Sequence, residues 1–251
     1  MKKIGILLFL ILITGSLWAQ SPQVDVDTLS PTFMLNKGEV QKTINIKNIS
    51  NQPLICTPEI FNDNDYINPK YYIGSSFLLF PKAMQLEPNQ TGSFNIYVYN
   101  VSQLQDGEYD AMLRVNTKSL NDVDQTRDDP SMFIIKQEGV VEVFNGTLIQ
   151  NLTLQNLHIE KSTQTSGGSV IGDIANLGNV HMPYQLSYSL FDSSGNTLDS
   201  GTLSGNVQRG NTTPLNISFG EFKVVKAEIS MSVQDITTKQ FGNPTHYVVE
   251  Q

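Results

Sequence analysis

The side chains able to do chemistry are few and scattered. Three histidines, His158, His181 and His246, stand far apart, without the short His/Cys spacings that wrap a metal ion. The single cysteine, Cys56, lies in the apolar run Pro53-Leu-Ile-Cys-Thr57, which reads as a small buried hydrophobe and not as a thiolate beside a base. Carboxylates crowd one stretch, Asp122, Asp124, Asp128 and Asp129 beside Asn121. Such oxygens suit Ca²⁺, but the ordered ligand positions and glycine of a calcium loop are missing, and a solvated acidic loop is the plainer reading. No Gly-x-Ser-x-Gly, His-Glu-x-x-His or phosphate-cradling glycine loop occurs. The chain is therefore expected not to be an enzyme, with no catalytic residue, no metal and no cofactor.

Composition narrows the partners. Of 251 residues, 39% are hydrophobic, enough to bury a real core in one large or two ordinary domains. Charged residues make up 16%, against about 25% in an average soluble domain. With 24 acidic and 16 basic side chains the formal net charge is −8, and no window clusters Lys and Arg. Nucleic acid is excluded as a partner on that ground, since a phosphate backbone needs grouped cations. One cysteine also forbids an intramolecular disulfide, so packing alone must hold the fold.

Met1 to Gln20 has the order of a secretory signal peptide: Lys2 and Lys3, an apolar run from Ile4 to Ile13, then small and polar residues. Cleavage is expected after Ala19, although Leu17 stands where a small residue is usual, and an uncleaved N-terminal anchor is the alternative. Loss of both lysines would make the mature chain more acidic. No Cys follows the signal, which argues against a lipoprotein, and no later segment is long and apolar enough to span a membrane. The expected location is the periplasm, with the cell surface or secretion as the alternative.

From Val24 onward the hydrophobic pattern has period two. Thr43-Ile-Asn-Ile-Lys47, Ser93-Phe-Asn-Ile-Tyr-Val98, Tyr109-Asp-Ala-Met-Leu-Arg-Val115 and Gln185-Leu-Ser-Tyr-Ser-Leu190 each read as a half-buried strand. Turn residues punctuate them at Asn36-Lys-Gly38, Asn51-Gln-Pro53, Glu87-Pro-Asn89, Asp106-Gly107, Ser194-Gly-Asn196 and Arg209-Gly-Asn211. No amphipathic helix is legible after the signal. An echo joins the two halves: a strand enters Asn48-Ile-Ser-Asn-Gln-Pro53, and another enters Asn176-Leu-Gly-Asn-Val-His-Met-Pro183. The expected fold is all-β, two immunoglobulin-like sandwiches over 21–145 and 146–251, after a signal peptide over 1–20. Tyr109, opening its strand after Asp106-Gly-Glu, is a candidate tyrosine corner whose hydroxyl would bond upstream backbone.

The first half resembles the N-terminal domain of periplasmic pilus chaperones. The resemblance rests on Ser30-Pro-Thr-Phe-Met-Leu-Asn-Lys-Gly38, Ile44-Asn-Ile-Lys-Asn-Ile-Ser-Asn-Gln-Pro53, Phe77-Leu-Leu-Phe-Pro-Lys-Ala-Met-Gln-Leu-Glu-Pro88 and Asp106-Gly-Glu-Tyr109, in the order of that domain's strands A to F. It implies β-augmentation, in which the chaperone lends its G strand to an incomplete client sandwich. The corresponding segment is Ser131 to Gln137, with Met132, Phe133, Ile134, Ile135 and Lys136 as donor candidates, after a polar loop from Thr117 to Pro130. An ordinary internal strand is the competing reading.

The family also anchors the client's terminal carboxylate with an Arg in strand A and a Lys in strand G. Here Thr32 stands at the first position, Lys37 is the nearest cation, and Lys136 is the sole candidate for the second. Thr32 and Lys37 are thus the domain-cleft candidates. Two functions follow. The protein is a periplasmic chaperone-like assembly factor binding an exported polypeptide, or a structural or adhesive immunoglobulin-like envelope protein that donates no strand. Neither reading specifies a client or an oligomeric state.

Overall fold

A computed structural model describes residues 23–120, 135–161, 167–220 and 223–251. The signal segment, the acidic stretch after Leu120, and Met132, Phe133 and Ile134 lie outside the described residues. Among the described residues, nine strands build the first half: β1 (Val24–Val26), β2 (Thr32–Met34), β3 (Gln41–Asn48), β4 (Leu54–Phe61), β5 (Phe77–Phe80), β6 (Met84–Leu86), β7 (Thr91–Val98), β8 (Gly107–Ser119) and β9 (Ile135–Asn145). Among the described residues of the second half there are seven: β10 (Leu152–Lys161), β11 (Gly168–Asn176), β12 (Met182–Phe191), β13 (Thr197–Val207), β14 (Thr212–Phe219), β15 (Lys226–Val233) and β16 (Thr245–Glu250).

Each half is a pair of sheets. In the first, β1-β3-β7-β5 faces β2-β9-β8-β4-β6; in the second, β10-β11-β14 faces β13-β12-β15-β16. Period-two alternation places one side of every central strand in a core. Ile44 and Ile46 of β3 and Phe94 and Ile96 of β7 meet Leu54, Cys56, Ala111, Leu113, Val141 and Val143 from the facing sheet, all solvent-inaccessible. A separate core gathers Val170, Ile174, Leu186, Leu190, Leu215, Ile217 and Ile229. The two immunoglobulin-like sandwiches therefore fold around their own apolar centres.

The echo between the halves has a physical basis. Asn48 and Asn176 are both buried at the end of a strand. Asn48 Nδ2 donates to the carbonyls of Gln52 and Leu86, and its Oδ1 accepts from the backbone N–H of Ser50. Asn176 Nδ2 donates to the carbonyls of Val180, Val207 and Gln208, and its Oδ1 accepts from the N–H of Gly178. In each sandwich one buried amide satisfies a turn that would otherwise leave backbone groups unpaired.

The opening segment divides between the sheets. β1 runs antiparallel to β3, whereas β2 runs parallel to β9, and the chain changes sheet between them through Pro31. Two strand limits differ from the sequence reading. Thr117 to Ser119 continue β8 instead of opening the loop, and the segment from Ile135 through Val143 is one strand although Gly139 interrupts its apolar pattern. Gly139 is there for close approach: a Cβ would stand 2.4 Å from the carbonyl oxygen of Leu29.

Candidate functional site

Two features of the first sandwich can meet a partner, and both lie on β9. The first is an open edge. On one side β9 pairs with β8 along its whole length, from Thr117↔Ile135 to Gly107↔Asn145. On the other side β2 covers only Glu142, Val143 and Phe144. Val140 N–H donates to Ser30 Oγ, and Gln137 Nε2 donates to the Val24 carbonyl, but no strand among the described residues runs beside 135–139. Within this stretch Ile135 and Gln137 are half-buried, on the face that continues into Val141 and Val143, while Lys136 and Glu138 are exposed. An unpaired strand edge is a template for another chain.

The second feature is the junction of the sandwiches. Phe144 packs with Val180, Met182 and Ile236 in a small shared core, bordered by Met34, Leu148, Leu152 and Val233. Beside it the sheet face turns acidic. Thr32, Glu142 and Asp110 are direct neighbours across β2, β9 and β8, and Glu108 lies one turn of the pleat away. Glu108 is 2% exposed and reaches the second sandwich: it accepts from the backbone N–H of His181 and, at 2.5 Å, from His181 Nδ1. His181 Nε2 stands 3.9 Å from Glu142 Oε1, and Thr32 Oγ1 donates to Glu142 Oε2 at 3.1 Å.

Arg209 of the second sandwich reaches the main chain of the first at this junction. It spends its donors on the carbonyls of Glu108 and Asp106, at 2.8 and 3.1 Å, and lies over the Tyr71 ring at 4.1 Å. Burial, reinforced by the negative charges of Glu108 and Glu142, pushes the Asp110 carboxyl up to about 9 against the pull of Arg209. Its Oδ1 is shielded from solvent without a hydrogen-bond partner. Burial works against a charged imidazole at His181, but the Glu108 hydrogen bond and the Glu108 and Glu142 charges outweigh it and hold His181 above its ordinary value.

Among the residues singled out from sequence, Thr32 enters this cluster. Lys37 is exposed on a short 3-10 turn after β2, and Lys136 is exposed six residues before Glu142, about 20 Å along a strand. The structure therefore does not bring Thr32 and Lys136 together. Tyr109 is buried, and its hydroxyl donates to the Gln105 carbonyl at 3.2 Å. Cys56 is fully buried and its thiol is pushed up by burial. Sequence reasoning missed the Glu108, Glu142 and His181 association because 73 positions separate the outer pair. The only local signal was that His181 follows the second of the two echoed turns.

The fold as a whole, two sandwiches along one chain, recurs among solved structures. The chain has the pilus-chaperone fold. The class 5 fimbriae chaperone CfaA superposes with a TM-score of 0.55 at 11% identity, over 91% of this chain and 100% of its own. The YadV chaperone gives 0.52 at 10% identity, over 91% and 99%. A chain from a chaperone–tip adhesin complex of CFA/I fimbriae biogenesis gives 0.55 at 11%, over 90% and 98%. No protein-family model and no curated protein matches the sequence. Among the described residues no helix is long and apolar enough to cross a membrane.

Proposed function

We propose that the protein is a periplasmic chaperone-like assembly factor that binds an exported polypeptide, without catalysis, by lending it the start of β9. The observation that carries this reading is the one-sided pairing of residues 135–139, which leaves a row of backbone donors and acceptors for a client strand. Upstream the sequence supplies Met132, Phe133 and Ile134 next to Ile135, apolar side chains suited to an open client groove. The solved complex between a chaperone of this fold and a tip adhesin supports a client of the same kind.

The proposed mechanism departs from carboxylate capture. Thr32 and Glu142 face each other where a cationic pair would be needed, and an anionic cleft repels a terminal carboxylate. Affinity then rests on strand pairing and apolar insertion. The same reading assigns 1–20 to an export signal, divides the chain into units at 21–145 and 146–251, and gives Tyr109 the role of a tyrosine corner that fixes the start of β8.

Capture of envelope proteins by the native chain, by Ile134→Asp and by Leu203→Asp tests it, with circular dichroism verifying that each variant is folded. Leu203 is an exposed residue of β13 in the other sandwich. A client kept by Leu203→Asp and lost by Ile134→Asp is the expected result. Equal retention by all three would overturn strand donation.

A further inference from the structure

Every open strand edge presents a row of backbone donors and acceptors to a passing chain, and folded proteins blunt most of them. Among the described residues the four sheets end in eight edge strands, and seven of these are short, interrupted or closed by proline. β1, β2, β5 and β6 have three or four residues each. β14 carries Pro214, which has no N–H to donate, and β10 is interrupted by a bulge at Asn156, where φ is +53°. β16 has six residues, with His246 and Glu250 near its ends.

β13 is the exception. It runs eleven residues without Lys, Arg or Pro, and beyond a bulge at Leu198 its register with β12 is unbroken from Asp199 to Val207. Its one charged side chain, Asp199, accepts from the Ser200 N–H at 2.8 Å, so the open run lies beyond that point. From Thr202 to Asn206 every residue is exposed. A strand with one face on a core should alternate instead. Leu203 stands opposite Leu186, which is fully buried, yet Leu203 is 39% exposed, because a three-stranded sheet faces this four-stranded one and leaves its edge partly uncovered. Gly201 and Gly205 flank Leu203 on the same face. The rings of Tyr188 and Tyr184 lie across them, so a Cβ on either glycine would stand 2.7 Å from the tyrosine hydroxyl.

We propose that β13 pairs antiparallel with β13 of a second copy of this chain, about a two-fold axis at Ser204, joining two four-stranded sheets into one of eight strands. The open run is complementary to itself in that register. Thr202 stands opposite the partner's Asn206, and Leu203 opposite the partner's Gly205, where its side chain fills the space left by the glycine and meets the partner's Tyr184 ring. Symmetry makes each contact twice. Any chain can use the backbone of an open edge, but packing beside Gly205 and Leu203 needs a large residue and a small one two positions apart, and β13 itself supplies them. No charged side chain enters the run from Thr202 to Asn206, so the acidic chains meet without like charges opposed there. The contact is smaller than a standard stable interface, which makes the pairing dependent on concentration. It is independent of client binding: the donor edge is on β9 in the first sandwich, and Leu203→Asp, expected to keep the client, is expected to break self-pairing.

Sedimentation velocity of the purified chain from about 1 μM to about 1 mM tests the proposal. The weight-average mass should rise with concentration toward that of two chains. Ser204→Lys sets two like charges against each other on the axis, and Leu203→Asp removes the apolar contact; both should keep the mass of one chain throughout. Asn216→Lys, the same charge change at an exposed position of β14, should associate as the native chain does. Circular dichroism verifies that each variant is folded. The register has its own readout. Two Ser204→Cys thiols face each other on the axis, so a short bismaleimide should join two chains at that position and leave Asn216→Cys single, the native Cys56 being buried. A native chain that stays single at the highest concentration, association retained by both Ser204→Lys and Leu203→Asp, or Ser204→Cys joined no more than Asn216→Cys would each refute self-pairing through β13.

Discussion

Gly107 shows how tightly one residue can be determined by packing between the sandwiches. Its φ is +126°, a region essentially closed to side chains, and a Cβ there would stand 2.4 Å from the Asn179 carbonyl oxygen and 2.8 Å from Arg209 Cζ. Gly38 also has positive φ, +76°, but nothing lies within 4 Å of its Cβ position. Backbone strain of about 1–3 kcal/mol is expected at both sites; only Gly107→Ala adds a clash with backbone and with the arginine that clamps it. Urea denaturation should therefore show a larger loss for Gly107→Ala than for Gly38→Ala, by more than about 1 kcal/mol. Equal losses would mean that the contact relaxes freely. The sequence marked Asp106-Gly107 as a turn, but it could not show that the turn lies under the second sandwich.

At the scale of the strand, β8 and β9 carry both the fold and the candidate site. Their inner faces were legible: Tyr109, Ala111, Leu113 and Val115 alternate into the core, as period two requires. The outer face was not, because a polar residue on a half-buried strand reads as solvent-facing. Asp110 is instead half-buried, its strand bridged at this point by Tyr72 and Ile73 of the preceding loop. Its carboxyl titrates near 9 when folded and near 3.8 otherwise, so the folded chain holds a proton that the unfolded chain releases between those values. Stability on this account is full below about pH 3.8 and declines as pH rises toward about 9. Asp110→Asn should gain stability relative to the native chain on going from about pH 5 to about pH 8, read as the difference in urea midpoints. A difference that does not change with pH would show that Asp110 is already ionised.

For the whole molecule the question is whether the sandwiches act as one body. Phe144, 2% exposed, is the largest member of the shared cluster with Val180, Met182 and Ile236, whereas Phe94 belongs to the first core alone. Phe→Ala in a buried site costs about 3–5 kcal/mol. Phe94→Ala should lower the stability of the first sandwich, while Phe144→Ala should uncouple the two and broaden or divide the thermal transition in calorimetry. A single, equally sharp transition in Phe144→Ala would mean that the polar bridge through Glu108 and His181 holds the junction without the apolar contact. The Arg209 guanidinium over Tyr71 and the Glu108 bridge both cross the same boundary.

Strand periodicity and turn chemistry by themselves determined that this is an all-β chain of two sandwiches, because alternation and turn residues act over a few neighbours and are written locally. The echo of Asn48 and Asn176 was visible for the same reason: each buried amide serves a turn four residues long. The resemblance in the first half led to the right fold. Which edge of β9 is open, and what lines the cleft, were decided only in the tertiary structure. Thr32, Glu108, Glu142 and His181 come from separate strands and from both sandwiches, and hydrogen bonds and charge repulsion between them depend on distances that no local pattern encodes.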